Sequence, residues 1–230
     1  MTELIIPKTI APITLIHSPL ALDKDSLDSF LSHTHYRKYP TRTAVFRPGD
    51  VASTLFYVIS GSLSVITEEE DGRELVLSYI NQGEFIGELG LFFKTEKREV
   101  VLRTKSACEL AEISYDQLQE LFIGPLVSEC PKIIYAISAQ ISKRLLETSR
   151  KVSRLAYQDV ASRILRTLHD LCQEPDALTH PLGMQIHISR QELSRIVGCS
   201  REMAGRVLKQ LEEQKLLQAH GKTIVVFGTR

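Results

Sequence analysis

The chain has 230 residues, 43% of them apolar, with 28 basic and 28 acidic side chains. That length suits one large domain or two modest ones, and the composition is that of an ordinary globular protein. No run of about 18 apolar residues occurs, which argues against a membrane-spanning helix. The zero net charge hides a gradient. Residues 1–130 carry 12 Lys and Arg against 19 Asp and Glu, a balance of −7; residues 131–157 carry 6 against 1, or +5; residues 158–230 carry 10 against 8, or +2. The positive part lies where contacts to phosphates would be needed.

Residues 1–21 are apolar but broken by Pro7, Pro12 and Pro19, and their first charge is Glu3. With no basic leader and no evident cleavage site, they read as an N-terminal arm rather than a secretion signal. Residues 22–130 form the first expected domain. Short helices are expected at Leu22–Ser32 and Tyr115–Phe122. Between them, residues 42–115 alternate β-rich runs with turn signals at Ser60-Gly61, Asp71-Gly72 and Gln82-Gly83, and later strands fall at Val100–Arg103 and Glu109–Ile113. Short strands at such regular spacing suggest a β-barrel or jelly roll.

Residues 131–157 read as one long helix opened by Pro131. Ile134, Ser138, Ile141, Leu145, Thr148, Val152 and Leu155 fall on alternating steps of four and three, the seam of a coiled coil, which points to a homodimer. Ile133, Ile137 and Leu146 widen that seam toward the barrel.

Residues 158–230 form the second expected domain. A helix is expected over Val160–Cys172, ended by Glu174-Pro175-Asp176. Two short helices then meet at Gly198, where a Cβ would be costly. Leu193, Ile196 and Val197 give the first an apolar face. Ser200 is a good N-cap for the second, and Met203, Val207, Leu208 and Leu211 form its buried face. That leaves Arg201, Glu202 and Arg206 pointing outward near the helix start. In a helix-turn-helix these positions reach base edges in the major groove: Arg grips guanine O6 and N7, and Glu accepts from cytosine N4. Leu217–Phe227 follows as a hairpin turning at His220-Gly221, a wing.

The four cysteines, Cys108, Cys130, Cys172 and Cys199, make no metal-ligand spacing and read as small buried thiols in a reducing cytoplasm. There is no G-x-S-x-G, and Gly221-Lys222-Thr223 lacks the first glycine of a P-loop, so catalysis is not expected. An iron–sulfur sensor would need an N-terminal cysteine cluster, and the first cysteine is Cys108.

GEFIGELGLF (83–92), the Arg98 region, ACELAEIS (107–114), the long helix with ETSRKV, VGCSREMAGRVLK and the ending GKTIVVFGTR together resemble the CRP/FNR family of bacterial transcription factors. The resemblance covers about residues 25–230 and is closest to the cyclic-AMP receptor group and its CAP-like branch. It implies an α+β chain with a cyclic-nucleotide-binding β jelly roll, a long dimerisation helix and a C-terminal winged helix-turn-helix. It also implies double-stranded DNA and RNA polymerase as partners, and a cytoplasmic homodimer. Arg201, Glu202 and Arg206 match the base-reading positions of a TGTGA-type palindrome. Ser189, Arg190, Gln191, Ser200, Lys209, His220 and Lys222 match or neighbour phosphate-holding positions. The basic stretch Lys143–Arg166 is placed to hold the flanks of bent DNA. The loop 177–183 matches the main activating loop for polymerase, and His35, Arg37 and Glu112 lie near a second such surface.

Gly87, Glu88 and Leu89 match the family's nucleotide-cradling turn, Arg98 the phosphate-pairing arginine, and Thr148 and Ser149 the pair that meets the base across the dimer. Glu99 departs from the pattern, standing where the family has Ser or Thr. A carboxylate there removes a donor and adds a like charge to a cyclic-nucleotide phosphate, a repulsion on the order of 4 kcal/mol at about 4 Å before screening. Glu99 is also expected to pair with Arg98 and stand in for the phosphate, leaving the unliganded dimer competent to bind DNA; the alternative is that Glu99 turns outward and ordinary activation by cyclic AMP survives. The CAP-like branch implies cyclic di-GMP as an opposing effector, with Arg150 and Arg154 as further phosphate partners; ordinary activation by cyclic AMP is the alternative.

Overall fold

Short apolar runs separated by turns along the first half of the chain fold into two four-stranded antiparallel sheets. The computed structural model describes residues 22–69, 72–93, 96–174 and 176–229. The expected arm 1–21, Asp71 of one expected turn and Pro175 lie outside the described residues. The first domain runs α1 (Lys24–Leu31), β1 (His35–Tyr39), β2 (Ala44–Phe46), β3 (Thr54–Ser60), β4 (Ser62–Glu68), β5 (Glu74–Asn81), β6 (Phe85–Ile86), α2 (Leu89–Phe92), β7 (Val101–Thr104), β8 (Cys108–Ser114) and α3 (Tyr115–Phe122). One sheet has the order β1-β8-β3-β6 and the other β2-β7-β4-β5. Val58 and Leu110 from the first meet Leu63, Ile80 and Leu102 from the second, all fully buried. The Ser60-Gly61 turn needs glycine: φ is +88°, and a Cβ would come within 2.4 Å of the Ala107 carbonyl oxygen.

Strand β1 lies before the stretch expected to be β-rich. Four of its five residues, His35 to Lys38, are exposed, so its sequence carries no apolar alternation. It is specified by pairing with β8, in the register His35↔Glu112 to Tyr39↔Cys108.

The long helix α4 spans Cys130–Tyr157, with proline in its first turn, where no N–H is missed. Its first half buries Ile133, Ala136, Ile137 and Gln140 against Phe30, Phe85, Ile113 and Leu118. Gln140 ends this contact by accepting from the Phe85 N–H at 2.8 Å and donating to the Gly83 carbonyl at 3.1 Å. Beyond it one face of the helix still follows the first domain, where Arg144 donates to the Phe85 carbonyl and Lys151 to the Val76 carbonyl, while the opposite face is bare. Leu145, Leu146 and Val152 are more than half exposed. The expectation that Leu146 faces the barrel is therefore corrected, because it lies about 200° around the helix from Arg144, whose face meets the first domain.

The second domain runs α5 (Val160–Cys172), β9 (Leu178–His180), β10 (Gly183–His187), α6 (Arg190–Val197), α7 (Arg201–Glu213), β11 (Leu217–His220) and β12 (Thr223–Phe227). Its sheet has the order β11-β12-β10-β9, and Ile164, Leu168, Leu193, Ala204, Leu208, Leu217, Ile224 and Val226 fill the space between sheet and helices. The expected loop 177–183 is a hairpin, with His180 paired to Gly183. Its strands are too short for alternation to reveal them. Only Gln158 and Asp159 link α4 to α5, and Asp159 caps the latter by accepting from the Ser162 N–H at 2.8 Å.

Candidate nucleic-acid interface and effector cavity

Two caps and one left-handed glycine build the reading surface. The Ser189 hydroxyl accepts from the Glu192 N–H at 3.1 Å and starts α6; the Ser200 hydroxyl accepts from the Met203 N–H at 3.1 Å and starts α7. Between them Gly198 has φ +74°, a conformation that side chains rarely adopt. Helix α7 buries Ala204, Val207, Leu208 and Leu211, so Arg201, Glu202 and Arg206 are turned outward and exposed. Among the described residues, neither arginine takes part in an ion pair. The backbone N–H of Glu202 itself and the Ser200 hydroxyl hold the Glu202 carboxyl below its ordinary range, which keeps it an acceptor. The stem of Arg190 lies over Gly205, where a Cβ would sit 3.5 Å from its Cδ.

The expected phosphate-holding residues fall around this helix. Arg190, Gln191, Ser200, Lys209, His220 and Lys222 are exposed, and Ser189 is half-buried. Both cap serines accept from the backbone; the Ser189 O–H is left to donate, while that of Ser200 is turned to Glu202. The wing turns at Gly221-Lys222, one residue later than expected, since His220 pairs with Thr223. The stretch 143–166 is less free than its charge suggests. Arg154 and Arg166 both pair with Asp170, at 3.1 and 3.2 Å, and Lys151 donates to the Val76 carbonyl.

A cavity of about 300 Å³ opens in the first domain, lined by Gly87, Glu88, Leu89, Arg98, Glu99 and Thr148 together with apolar residues. Gly87 has φ +90°, and a Cβ there would meet the Thr54 carbonyl oxygen at 2.7 Å. Arg98 is buried. It donates to the Thr54 carbonyl at 2.5 Å and to the Tyr115 hydroxyl at 3.2 Å, and lies 4.5 Å over the Phe46 ring. Tyr115 donates in turn to the Gly87 carbonyl. Glu88 is buried and paired with Arg144 of α4 at 2.9 Å; Arg144 also donates to the Phe85 carbonyl. Glu88 Oε2, Arg98 Nε and Arg144 Nε remain buried without a hydrogen-bond partner, and such groups fit a polar ligand.

Glu99 lines this cavity but is exposed, and among the described residues it makes no ion pair with Arg98. The expected stand-in for the phosphate is thus corrected: the Thr54 carbonyl and the Tyr115 hydroxyl hold Arg98 instead. Thr148 faces the cavity of its own subunit, while Ser149 is exposed and donates to the Leu145 carbonyl at 2.8 Å. The sequence reading missed Arg144, Thr54 and Tyr115. Only Arg144 carries a signal, four residues before Thr148 and hence on the same helix face.

A second cleft, of about 370 Å³, lies between the domains. Lys143, Arg144, Lys151, Arg154 and Arg163 line it, with Val76, Leu77, Ser78 and Tyr79 of β5 as its floor. Arg144, Leu77 and Ser78 are walls of both cavities. Arg154 was expected among phosphate partners and is here; Arg150 is exposed and does not line the cleft. Burial, and then the charge of Arg154, pushes the Lys151 ammonium down to about 8. Leu155 was expected on the dimer seam. It lines this cleft and reaches Gly198, whose Cβ would lie 3.2 Å from Leu155 Cδ2.

In the first sheet, Glu112 accepts from the Tyr39 hydroxyl at 2.6 Å, and Arg37 lies 5.2 Å over the Tyr39 ring. His35 is paired opposite Glu112, so these expected contact residues share one sheet edge.

Residues 36–123 match the cyclic nucleotide-binding domain, and residues 186–217 match the crp family of bacterial regulatory proteins. The chain is 63% identical over 211 residues to the CRP-like protein Clp of Xanthomonas euvesicatoria, covering 92% of each chain, and 62% identical over the same length to that of Xanthomonas campestris. A solved structure of the c-di-GMP responsive global regulator CLP, which links cell–cell signalling to virulence gene expression in Xanthomonas campestris, superposes with a TM-score of 0.88. It is 62% identical, and the match covers 90% of this chain and all of that one. A CRP/FNR-family regulator of Thermus thermophilus, 20% identical over 84% of this chain and 93% of that one, shares the fold with a TM-score of 0.67. No helix among the described residues is long and apolar enough to cross a membrane.

Proposed function

Because this chain belongs to the CRP/FNR family of transcription regulators, in the branch of the CRP-like protein Clp, we propose that it binds TGTGA-type palindromes as a homodimer without cyclic AMP and that cyclic di-GMP opposes this binding. The observation that carries the reading is the outward trio Arg201, Glu202 and Arg206 at the start of α7, exposed and, among the described residues, without ion-pair partners. The bare apolar face of α4, with Leu145 66% and Val152 60% exposed, supports a second copy packed against it. RNA polymerase is the further partner, met through the β9–β10 hairpin and the His35–Arg37–Glu112 edge.

Competence without cyclic AMP is supported by the state of the first cavity. Two of its charged groups are already engaged, Glu88 by Arg144 and Arg98 by Thr54 and Tyr115. A cyclic phosphate must displace those bonds and meet Glu99 at the rim. Cyclic di-GMP carries two phosphates, and the adjoining cleft holds Lys143, Lys151, Arg154 and Arg163 beside Glu84, Glu147, Asp170 and Glu174, so a second phosphate there must also exchange partners with Arg154 and Lys151. A ligand lying across Arg144 contacts both domains, so its affinity depends on how they sit together. That differential affinity is what an effector requires. Footprinting on a TGTGA palindrome with no nucleotide, with cyclic AMP and with cyclic di-GMP tests the reading. Protection is expected without nucleotide, lost on adding cyclic di-GMP, and falling steeply as salt rises. Protection that arises only with cyclic AMP would establish ordinary nucleotide activation instead.

A further inference from the structure

One contact between the domains belongs to neither cavity. Glu74, at the start of β5, is almost buried and accepts from both terminal nitrogens of Arg103, at 2.9 and 3.1 Å. Its Oε2 also lies 2.8 Å from Nε of Arg195, on the rear of α6. One carboxylate thus gathers a guanidinium from each domain. Burial works against its charge, but the hydrogen bonds and charges of Arg103, with the charge of Arg195, hold the carboxyl below its ordinary range. Beside this pair, Leu75 and Leu155 close on Gly198, each within 3.4 Å of where its Cβ would stand.

A dimer reading two half-sites must hold its two recognition helices about 34–36 Å apart. Covalently the reader hangs on Gln158 and Asp159 alone, both exposed. Its orientation must therefore come from contacts such as this one. We propose that Glu74 and Arg195 are a positioning pair, fixing the helix-turn-helix on the β-roll at the orientation the palindrome requires; this rests on the palindromic reading above. The pair touches no base-reading residue, so it acts on spacing and not on base recognition.

Arg195→Gln is the clean test, because it leaves the Glu74–Arg103 pair intact; Glu74→Gln is the second variant, and Arg195→Lys the conservative one. Amide hydrogen exchange of the unliganded full chain should rise in α6 and β5 in both Gln variants. Affinity for the full palindrome should fall about tenfold, while affinity for a single half-site stays within about twofold. Arg195→Lys should recover part of the loss. Unchanged exchange together with an unchanged ratio of palindrome to half-site affinity overturns the pair. So does an equal loss on both DNAs with the salt slope reduced by about one, since Arg195 would then be a phosphate contact. If the wild-type chain does not prefer the palindrome to random duplex, the palindromic reading fails, and hydrogen exchange alone still decides whether the two residues hold the domains together.

Discussion

Helix α7 and the first-domain cavity hold their charges in opposite ways. Arg201, Glu202 and Arg206 stand in solvent on a helix whose other face is packed. Glu88 and Arg98 are buried in the first domain, Arg144 of α4 is half-buried beside them, and side-chain and carbonyl partners hold all three. A surface that meets a large partner keeps its groups free, because the partner brings the complementary charges. A cavity must satisfy its charges before any ligand arrives, or bear the cost of burying them.

The largest effect should come from breaking the buried side of that contrast. Arg144→Ala leaves Glu88 without its cation and should destabilise the fold by about 3–5 kcal/mol. Replacing both residues by apolar ones of similar volume should cost much less. Thermal unfolding of the single and double variants checks this; equal losses would show that Glu88 and Arg144 do not act as a pair. On the exposed side, Arg206→Ala should leave the unfolding temperature unchanged and weaken DNA binding by about 1–3 kcal/mol, with preference relaxed at one base position. Binding to a panel of single-base operator variants measures it.

The contrast also explains what the sequence revealed. The period of Met203, Val207, Leu208 and Leu211 places the reading trio on the free face without any knowledge of the rest of the molecule. The same logic finds α3 and α5 at their observed bounds and the core positions Ile133 and Ile137. It does not find Arg144 above Glu88, separated by 56 residues, nor the Thr54 carbonyl and Tyr115 hydroxyl that occupy Arg98. Such partners come from sheet register and from the path of α4, which no local period encodes. Glu99 shows the limit from the other side. Its identity is a clear departure from the family pattern, but whether it faces Arg98 is a question of rotation about one backbone position.

A smaller effect tests the cleft. Lys151 has its pKa depressed to about 8 by burial, so between about pH 8 and 10.5 the native chain binds fewer protons there than the unfolded chain. Stability contributed at this site should therefore rise with pH across that window. In Lys151→Met that part of the slope should vanish, and the difference between the two pH profiles is the measurement. A flat difference would mean that the ammonium is as well solvated in the cleft as in the unfolded chain.

The smallest expected change is Glu99→Ser. The residue is exposed, so stability should hold within about 0.5 kcal/mol. Cyclic-AMP affinity should rise several-fold, as a screened like charge is exchanged for a donor. Calorimetric titration checks both its size and its direction.

One helix runs past three separate parts of this molecule. Along its 28 residues α4 passes the β-roll core at Ile133, the nucleotide chamber at Arg144 and Thr148, and the reader's glycine turn at Leu155. Each residue of a helix advances its azimuth by about 100°. The reader's bearing is therefore written in helical phase. A single residue inserted after Ser149 would swing Leu155 and all that follows around the axis, whereas seven would return it almost to the same heading, some 10 Å farther along the rod.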